Sequence, residues 1–138
     1  MSELIRFGIS IEQSLLTKFD DLIQSRSYEN RSEAIRDLIR KELVGEQWQQ
    51  PNAAAVGTIT IIYDHHVREL TEVLTSIQHD HETAIIASTH VHLDHHNCLE
   101  VIIVKGKTSD IRTLADQLIS LKGVKHGQLS MTSSGDIG

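Results

Sequence analysis

The sequence predicts an α+β chain in two parts, a short βαα unit followed by a βαββαβ unit. Three observations predict it. Residues 1–46 hold one alternating apolar segment and then two apolar stripes of helical period. Residues 46–56 show neither periodicity and contain the only proline. Beyond them, four β-branched segments are interleaved with two further helical stripes.

In the first unit, Ile5, Phe7, Ile9 and Ile11 alternate with Arg6, Gly8 and Ser10, so Leu4 to Ser10 is expected to be a short half-buried strand. Ser10 and Gln13 have the form of a capping box. Leu15, Leu16, Phe19, Leu22 and Ile23 then recur at helical spacing, which predicts a helix from about Ile11 to Ser25. A tight turn at Tyr28-Glu29 follows. Asn30, with Glu33 three residues on, caps a second helix whose stripe is Ala34, Ile35, Leu38, Ile39 and Leu43, and Gly45 is expected to end it.

Such a unit is too small to be stable alone, and its lone strand has two unpaired edges. Pairing the strands of two chains antiparallel solves both problems and makes a two-stranded ribbon over four helices. A ribbon of this kind fits the DNA major groove. Its outer face would offer Arg6, Gly8 and Ser10, and because Gly8 has no side chain, base readout would rest on Arg6 and Ser10.

In the second unit, Thr58–Tyr63 reads as a strand, His66–Ile77 as a helix, Ala84–Leu93 and Leu99–Lys105 as strands, Ser109–Leu121 as a helix and Val124–Met131 as the last strand. The order βαββαβ is the split βαβ, or ferredoxin-like, arrangement: a four-stranded antiparallel sheet with both helices on one face. Its other face is left uncovered. In so small a unit that face is expected to meet another subunit, most simply in a dimer of dimers.

Composition narrows the function. The chain has 138 residues, 39% hydrophobic and 23% charged, which are the proportions of a soluble globular protein. No run approaches the ~18 apolar residues of a membrane span, and Glu3, Arg6 and Glu12 interrupt any apolar signal core. A cytoplasmic protein without membrane contact is expected. The net charge of −6 argues against nonspecific coating of nucleic acid. Residues 1–44 carry seven Lys/Arg against eight Asp/Glu, and residues 45–138 six against eleven, so the acidity lies mainly in the second part.

Six of the nine histidines and the only cysteine fall between His79 and Cys98. In a strand, His90 and His92 share a face about 6.5–7 Å apart at Cα, a spacing that lets two imidazoles grip one ion. Asp94-His95-His96-Asn97 has the length of a hairpin connection, which returns Cys98 beside them. A single cysteine cannot close an intrachain disulfide. Imidazoles with a thiolate form a borderline-soft set suited to late first-row metals, and a planar arrangement favours Ni(II) or Cu(II) over tetrahedral Zn(II).

Two sets of residues carry a resemblance. The strand Leu4–Ser10 with Asn30-Arg31-Ser32-Glu33-Ala34-Ile35-Arg36-Asp37 resembles the ribbon-helix-helix DNA-binding repressors, in which the latter run seats a helix N-terminus against a phosphate. That unit joined to Gln78-His79, His90-Val91-His92, Asn97-Cys98-Leu99-Glu100 and Gly123-Val124-Lys125-His126-Gly127 resembles the nickel-responsive transcriptional regulators (NikR) over essentially the whole chain.

The resemblance implies residues 1–46 as a ribbon-helix-helix DNA-binding domain and residues 57–133 as an ACT-type ferredoxin-like domain that binds metal and tetramerises. It implies a homotetramer binding double-stranded operator DNA, with Ni(II) in a square plane at the tetramer interface. The ligands would be His90, His92 and Cys98 of one chain and His79 of a neighbour. It also implies a monovalent-cation site, for an ion such as potassium, at Glu33 and Asp37; alternatively these carboxylates are a solvated face beside Arg36 and Arg40. His65, His66, His81, His95 and His96 match none of the principal ligand positions and are expected to be surface histidines, with weaker metal contacts the alternative for His81, His95 and His96; His126 is either a group supporting a ligand or merely exposed. The competing functions are a copper- or zinc-responsive regulator of the same architecture, an amino-acid sensor, and a metalloenzyme. Four protein ligands would leave the last no open coordination position.

Overall fold

The computed structural model describes residues 3–67 and 69–135. Its elements are α1 (Gln13–Ser25), α2 (Arg31–Gln49), β1 (Ala54–Asp64), α3 (Leu70–Asp80), β2 (Ile85–His92), β3 (Asn97–Lys107), α4 (Thr108–Ile119) and β4 (Val124–Thr132). The chain divides into two compact units, with the boundary between Leu43 and Val44.

The first unit departs from expectation at its start. Residues 3–12 form no strand, and Leu4, Ile5, Phe7 and Ile9 are all more than 60% exposed. An alternating segment becomes a strand only against another strand, and among the described residues this one pairs with none. The Ser10–Gln13 capping box is also absent, because α1 begins after Glu12 and has no side-chain cap. Asn30 does cap α2, its Oδ1 accepting the Glu33 backbone N–H at 2.9 Å.

Gly45 does not end α2. Glycine costs a helix only about 1 kcal/mol, and a stronger interaction lies one turn on. Trp48 is buried in the second unit's core, its Nε1–H donating to the Thr132 carbonyl at 2.9 Å. The expected linker at 46–56 therefore shrinks to residues 50–53, between α2 and β1.

The second unit has the βαββαβ order read from the sequence, and its sheet runs β2-β3-β1-β4 with every neighbouring pair antiparallel. Alternation sets the core. Ala55, Ile59, Ile61 and Tyr63 of β1 and Cys98, Ile102 and Val104 of β3 share one buried face, packed with Leu70 and Leu74 of α3 and Ile111, Leu114, Ala115 and Leu118 of α4. The opposite face leaves Val91 and Ile103 exposed.

The helix expected from His66 starts only at Leu70. Asp64 accepts the His66 N–H on its side chain and the Val67 N–H on its carbonyl, which makes a turn, and Glu69 ends it with a left-handed φ of 70°.

Two glycines seat β4 against the helices. Gly123 has φ 102°, and a Cβ there would lie 2.8 Å from Leu70 Cδ2. At Gly127 a Cβ would lie 2.6 Å from Ile119 Cγ1. Gly123→Ala is expected to destabilise the fold by about 2–4 kcal/mol, from overpacking and left-handed strain together. Urea unfolding checks it.

Candidate metal centre

The β2–β3 register places His92 opposite Cys98 and His90 opposite Glu100, while β1 on the other side places Tyr63 opposite Cys98. Directly paired residues share a face, so these side chains point to the helix side of the sheet.

Asp94 closes the turn. Its Oδ1 accepts the backbone N–H groups of Asn97 at 2.8 Å and His96 at 2.9 Å, and its Oδ2 accepts the Asn97 side-chain amide at 3.0 Å. The Asn97 side chain, then the two backbone donors, hold the Asp94 carboxyl down to about 2. A lowered carboxyl stabilises the fold above its unfolded pKa, so this clasp is lost only as pH falls through about 2.

Cys98 Sγ lies 3.4 Å from His92 Nδ1 and 3.3 Å from His65 Nδ1. A sulfur and a nitrogen bound to one ion stand about 3.1 Å apart at 90° and about 3.6 Å apart at the tetrahedral angle. The three donor atoms already have ligand spacing, all within 4.8 Å of one another. Burial pushes the Cys98 thiol above its ordinary range, and the charges of Asp64, Asp94 and Glu100 push it the same way. The His65 imidazole is pushed down by burial and then by His66 and His92 beside it.

His90 lies next to this trio and outside it. Its ring centroid is 5.3 Å from that of His92, and its Nε2 is 3.1 Å from the Tyr63 hydroxyl. Glu100, nearly buried, anchors the neighbourhood by accepting from Ser88 Oγ at 2.8 Å, Gln78 Nε2 at 2.9 Å and the Tyr63 hydroxyl at 3.4 Å. Burial, then the Glu100 and Cys98 charges, raise the Tyr63 phenol. His79 sits on the exposed side of α3, 3.6 Å from Glu82, and with His90, Tyr63 and Glu100 lines a cleft of about 400 Å³.

The sequence-based selection thus names two members of the trio, His92 and Cys98, and omits His65. The signal for His65 was its place directly after β1, the strand paired with the cysteine-bearing strand. The Tyr63–Glu100–Gln78–Ser88 hydrogen bonds were likewise not foreseen, since they depend on register.

Of the other expected site residues, Arg6, Gly8 and Ser10 lie in the exposed segment before α1, with open space around Gly8. Asp37 accepts from the Tyr28 hydroxyl at 2.6 Å and Arg40 at 3.3 Å, which hold its carboxyl low, the Tyr28 hydrogen bond first. Glu33 lies 4.0 Å from Arg36.

The chain is similar to known proteins over nearly its whole length. Residues 56–132 match the family described as the NikR C-terminal nickel-binding domain. A nickel-responsive regulator of Solibacter usitatus is 58% identical over 135 residues, 98% of this chain and 97% of its own length. Those of Nitratidesulfovibrio vulgaris and Geobacter sulfurreducens are 57% and 54% identical, over 98% and 99% of this chain and 97% and 98% of theirs. Among the described residues, no helix is long and apolar enough to cross a membrane. All three are named as nickel-responsive regulators. A chain with this sheet, this thiol–imidazole cluster and relatives matching it over nearly its whole length belongs to the family of nickel-responsive regulators, and it is a regulator, not an enzyme.

Proposed function

We propose that this chain is a cytoplasmic, nickel-responsive transcriptional repressor, acting as a homotetramer on a two-fold symmetric operator upstream of a nickel-uptake gene. Residues 1–46 pair as ribbon-helix-helix dimers, with Arg6 and Ser10 reading bases beside Gly8. Residues 57–133 form the ACT-type, metal-binding tetramer core. Ni(II) is held by His90, His92 and Cys98 of one chain and His79 of a neighbour. The observation that carries the reading is the thiol–imidazole pair at ligand spacing on adjacent strands, 3.4 Å between Cys98 Sγ and His92 Nδ1. His90 joins on turning its ring from the Tyr63 hydroxyl. A bond from one chain's α3 to another chain's hairpin gives the metal different affinities for two arrangements of the tetramer, which is what a ligand needs to shift an equilibrium.

Mixing inactive chains tests the trans assignment. His79→Ala and Cys98→Ala tetramers, dissociated and reassorted, are expected to regain intact sites at about a quarter of positions, because an intact hairpin can meet an intact His79 from another chain. If His79 served its own chain, every site in the mixture would carry a defect. No recovery after verified exchange would refute ligation in trans.

The 3.3 Å approach of His65 Nδ1 to Cys98 Sγ favours a second reading, in which His65, His92 and Cys98 of one chain bind the ion. His65→Ala and His90→Ala separate the two, since the proposed set loses affinity only in the latter. Imidazole and thiolate bind Cu(II) more tightly than Ni(II). If the response is to nickel and not copper or zinc, it must therefore rest on geometry or metal supply. Glu33 and Asp37 are the carboxylates proposed for a monovalent cation such as potassium, in competition with Arg36 and Arg40.

A further inference from the structure

The run Gly123-Val124-Lys125-His126-Gly127 supplies no ligand to the proposed nickel set, yet its backbone breaks step where it passes β1. From Val56 to Ile62 the β1–β4 register is regular, with Ile62 opposite His126, so Lys125 should next stand opposite Tyr63. Val124 stands there instead. Lys125 is thus the extra residue of a β-bulge, in which two residues of β4 face one of β1.

The bulge decides where a charge goes. Tyr63 belongs to the buried face of β1, and a residue paired with it shares that face. Regular alternation would turn the Lys125 ammonium toward the core, where an unpaired charge is costly. The extra residue gives that place to Val124, which packs against the core, and leaves Lys125 exposed and re-aimed past the end of β1. There its Nζ donates to Asn97 Oδ1 at 2.5 Å. Because β4 and β3 flank β1 on opposite sides, their backbones are roughly 9–10 Å apart, and only a long side chain crosses that gap.

Asn97 is the hub of the hairpin that carries the cysteine. Its carbonyl accepts the backbone N–H groups of Leu93 at 2.9 Å and Asp94 at 3.4 Å, while its own N–H and its side-chain amide donate to the Asp94 carboxylate at 2.8 and 3.0 Å. An ammonium can only donate, so it holds the Asn97 oxygen and leaves the amide nitrogen turned to Asp94, the orientation that the turn requires. Cys98 follows directly and stands opposite His92. Among the described residues β2 pairs with β3 alone, so the spacing of His92 from Cys98 depends on that pairing and on this turn.

We propose that Lys125 is a positioning residue for nickel binding: from the bulge in β4 it fixes the Asn97 amide, and through it the turn that sets Cys98 beside His92. This role rests on the nickel set proposed above, in which both of those residues are ligands. The hydrogen bond is charge-assisted and therefore of the stronger kind, and it ties the hairpin to the strand at the opposite edge of the sheet.

Titration of the full-length chain with Ni(II) against a competing chelator, followed by the sulfur-to-nickel charge-transfer band, tests it. Lys125→Met keeps an apolar stem and loses the donor. It is expected to weaken binding about three- to tenfold, less than the roughly 10–100-fold typical of groups that touch a ligand directly, because Lys125 acts one group further out. The band's position and its amplitude at saturation stay as in the parent, since every ligand is still present. Lys125→Arg keeps a cationic donor of similar reach and is expected to restore most of the lost affinity. In an Asn97→Ala background Lys125→Met is expected to cost nothing further, because the residue through which it acts is gone. Parental affinity in Lys125→Met overturns the proposal. So does an undiminished loss in the Asn97→Ala background, or an arginine that restores nothing. A parent chain without the band would overturn the nickel set itself, and this role with it.

Discussion

Cys98→Ala is expected to abolish the sulfur-to-nickel charge-transfer band and to weaken Ni(II) binding by more than about 100-fold. The magnitude follows from the 10–100-fold loss typical on removing groups that merely support a ligand; loss of the ligand itself should exceed that range. The thiol's environment adds a pH signature. Burial and the nearby carboxylates raise the Cys98 thiol, so below its pKa the metal-free chain holds a proton that nickel must displace. Apparent affinity therefore falls about tenfold for each unit by which pH is lowered, for this proton alone. In Cys98→Ala that contribution disappears. Ultraviolet titration against a competing chelator at several pH values checks both results. A variant that keeps the band, or binds as tightly as the parent, removes the thiolate from the site.

Arg6→Ala and His90→Ala separate the two halves of the function. A bidentate arginine–guanine pair carries about 1–3 kcal/mol of discrimination. With one Arg6 in every chain docked on the operator, Arg6→Ala is expected to erase most operator preference and to leave nickel affinity nearly intact. His90→Ala is expected to erase the nickel response while leaving weak, metal-independent DNA binding. Gel-shift titrations with operator and scrambled DNA decide between outcomes. Equal losses of nickel affinity in both variants would defeat the assignment.

The second unit was legible in the sequence because period-2 and period-3.6 patterns are local. Alternation in Thr58–Tyr63 and the stripe Ile111, Leu114, Ala115, Leu118 needed nothing outside their own segments, and only boundaries moved. What the sequence hid depended on distant partners. The alternation of Leu4–Ser10 is real, but a strand exists only with a second strand, and among the described residues the segment pairs with none. Gly45 read as a stop because the pull of Trp48 into the core, 84 residues from its acceptor Thr132, leaves no local mark. His65 was set aside as a ligand for the same reason. It reaches Cys98 across the β1–β3 pairing, 33 residues away, whereas His92 reaches it across one hairpin.

The most direct test of the account is the affinity of the full-length chain for its operator with and without one equivalent of Ni(II) per chain. The ionic strength must be fixed near 0.15 M, since phosphate contacts make any such affinity steeply salt-dependent. The account predicts that nickel tightens operator binding by at least about tenfold, within the usual range of allosteric coupling, while binding to scrambled DNA changes little. It predicts reciprocally that operator DNA tightens nickel binding by the same factor. Identical operator affinity in the two states would contradict it.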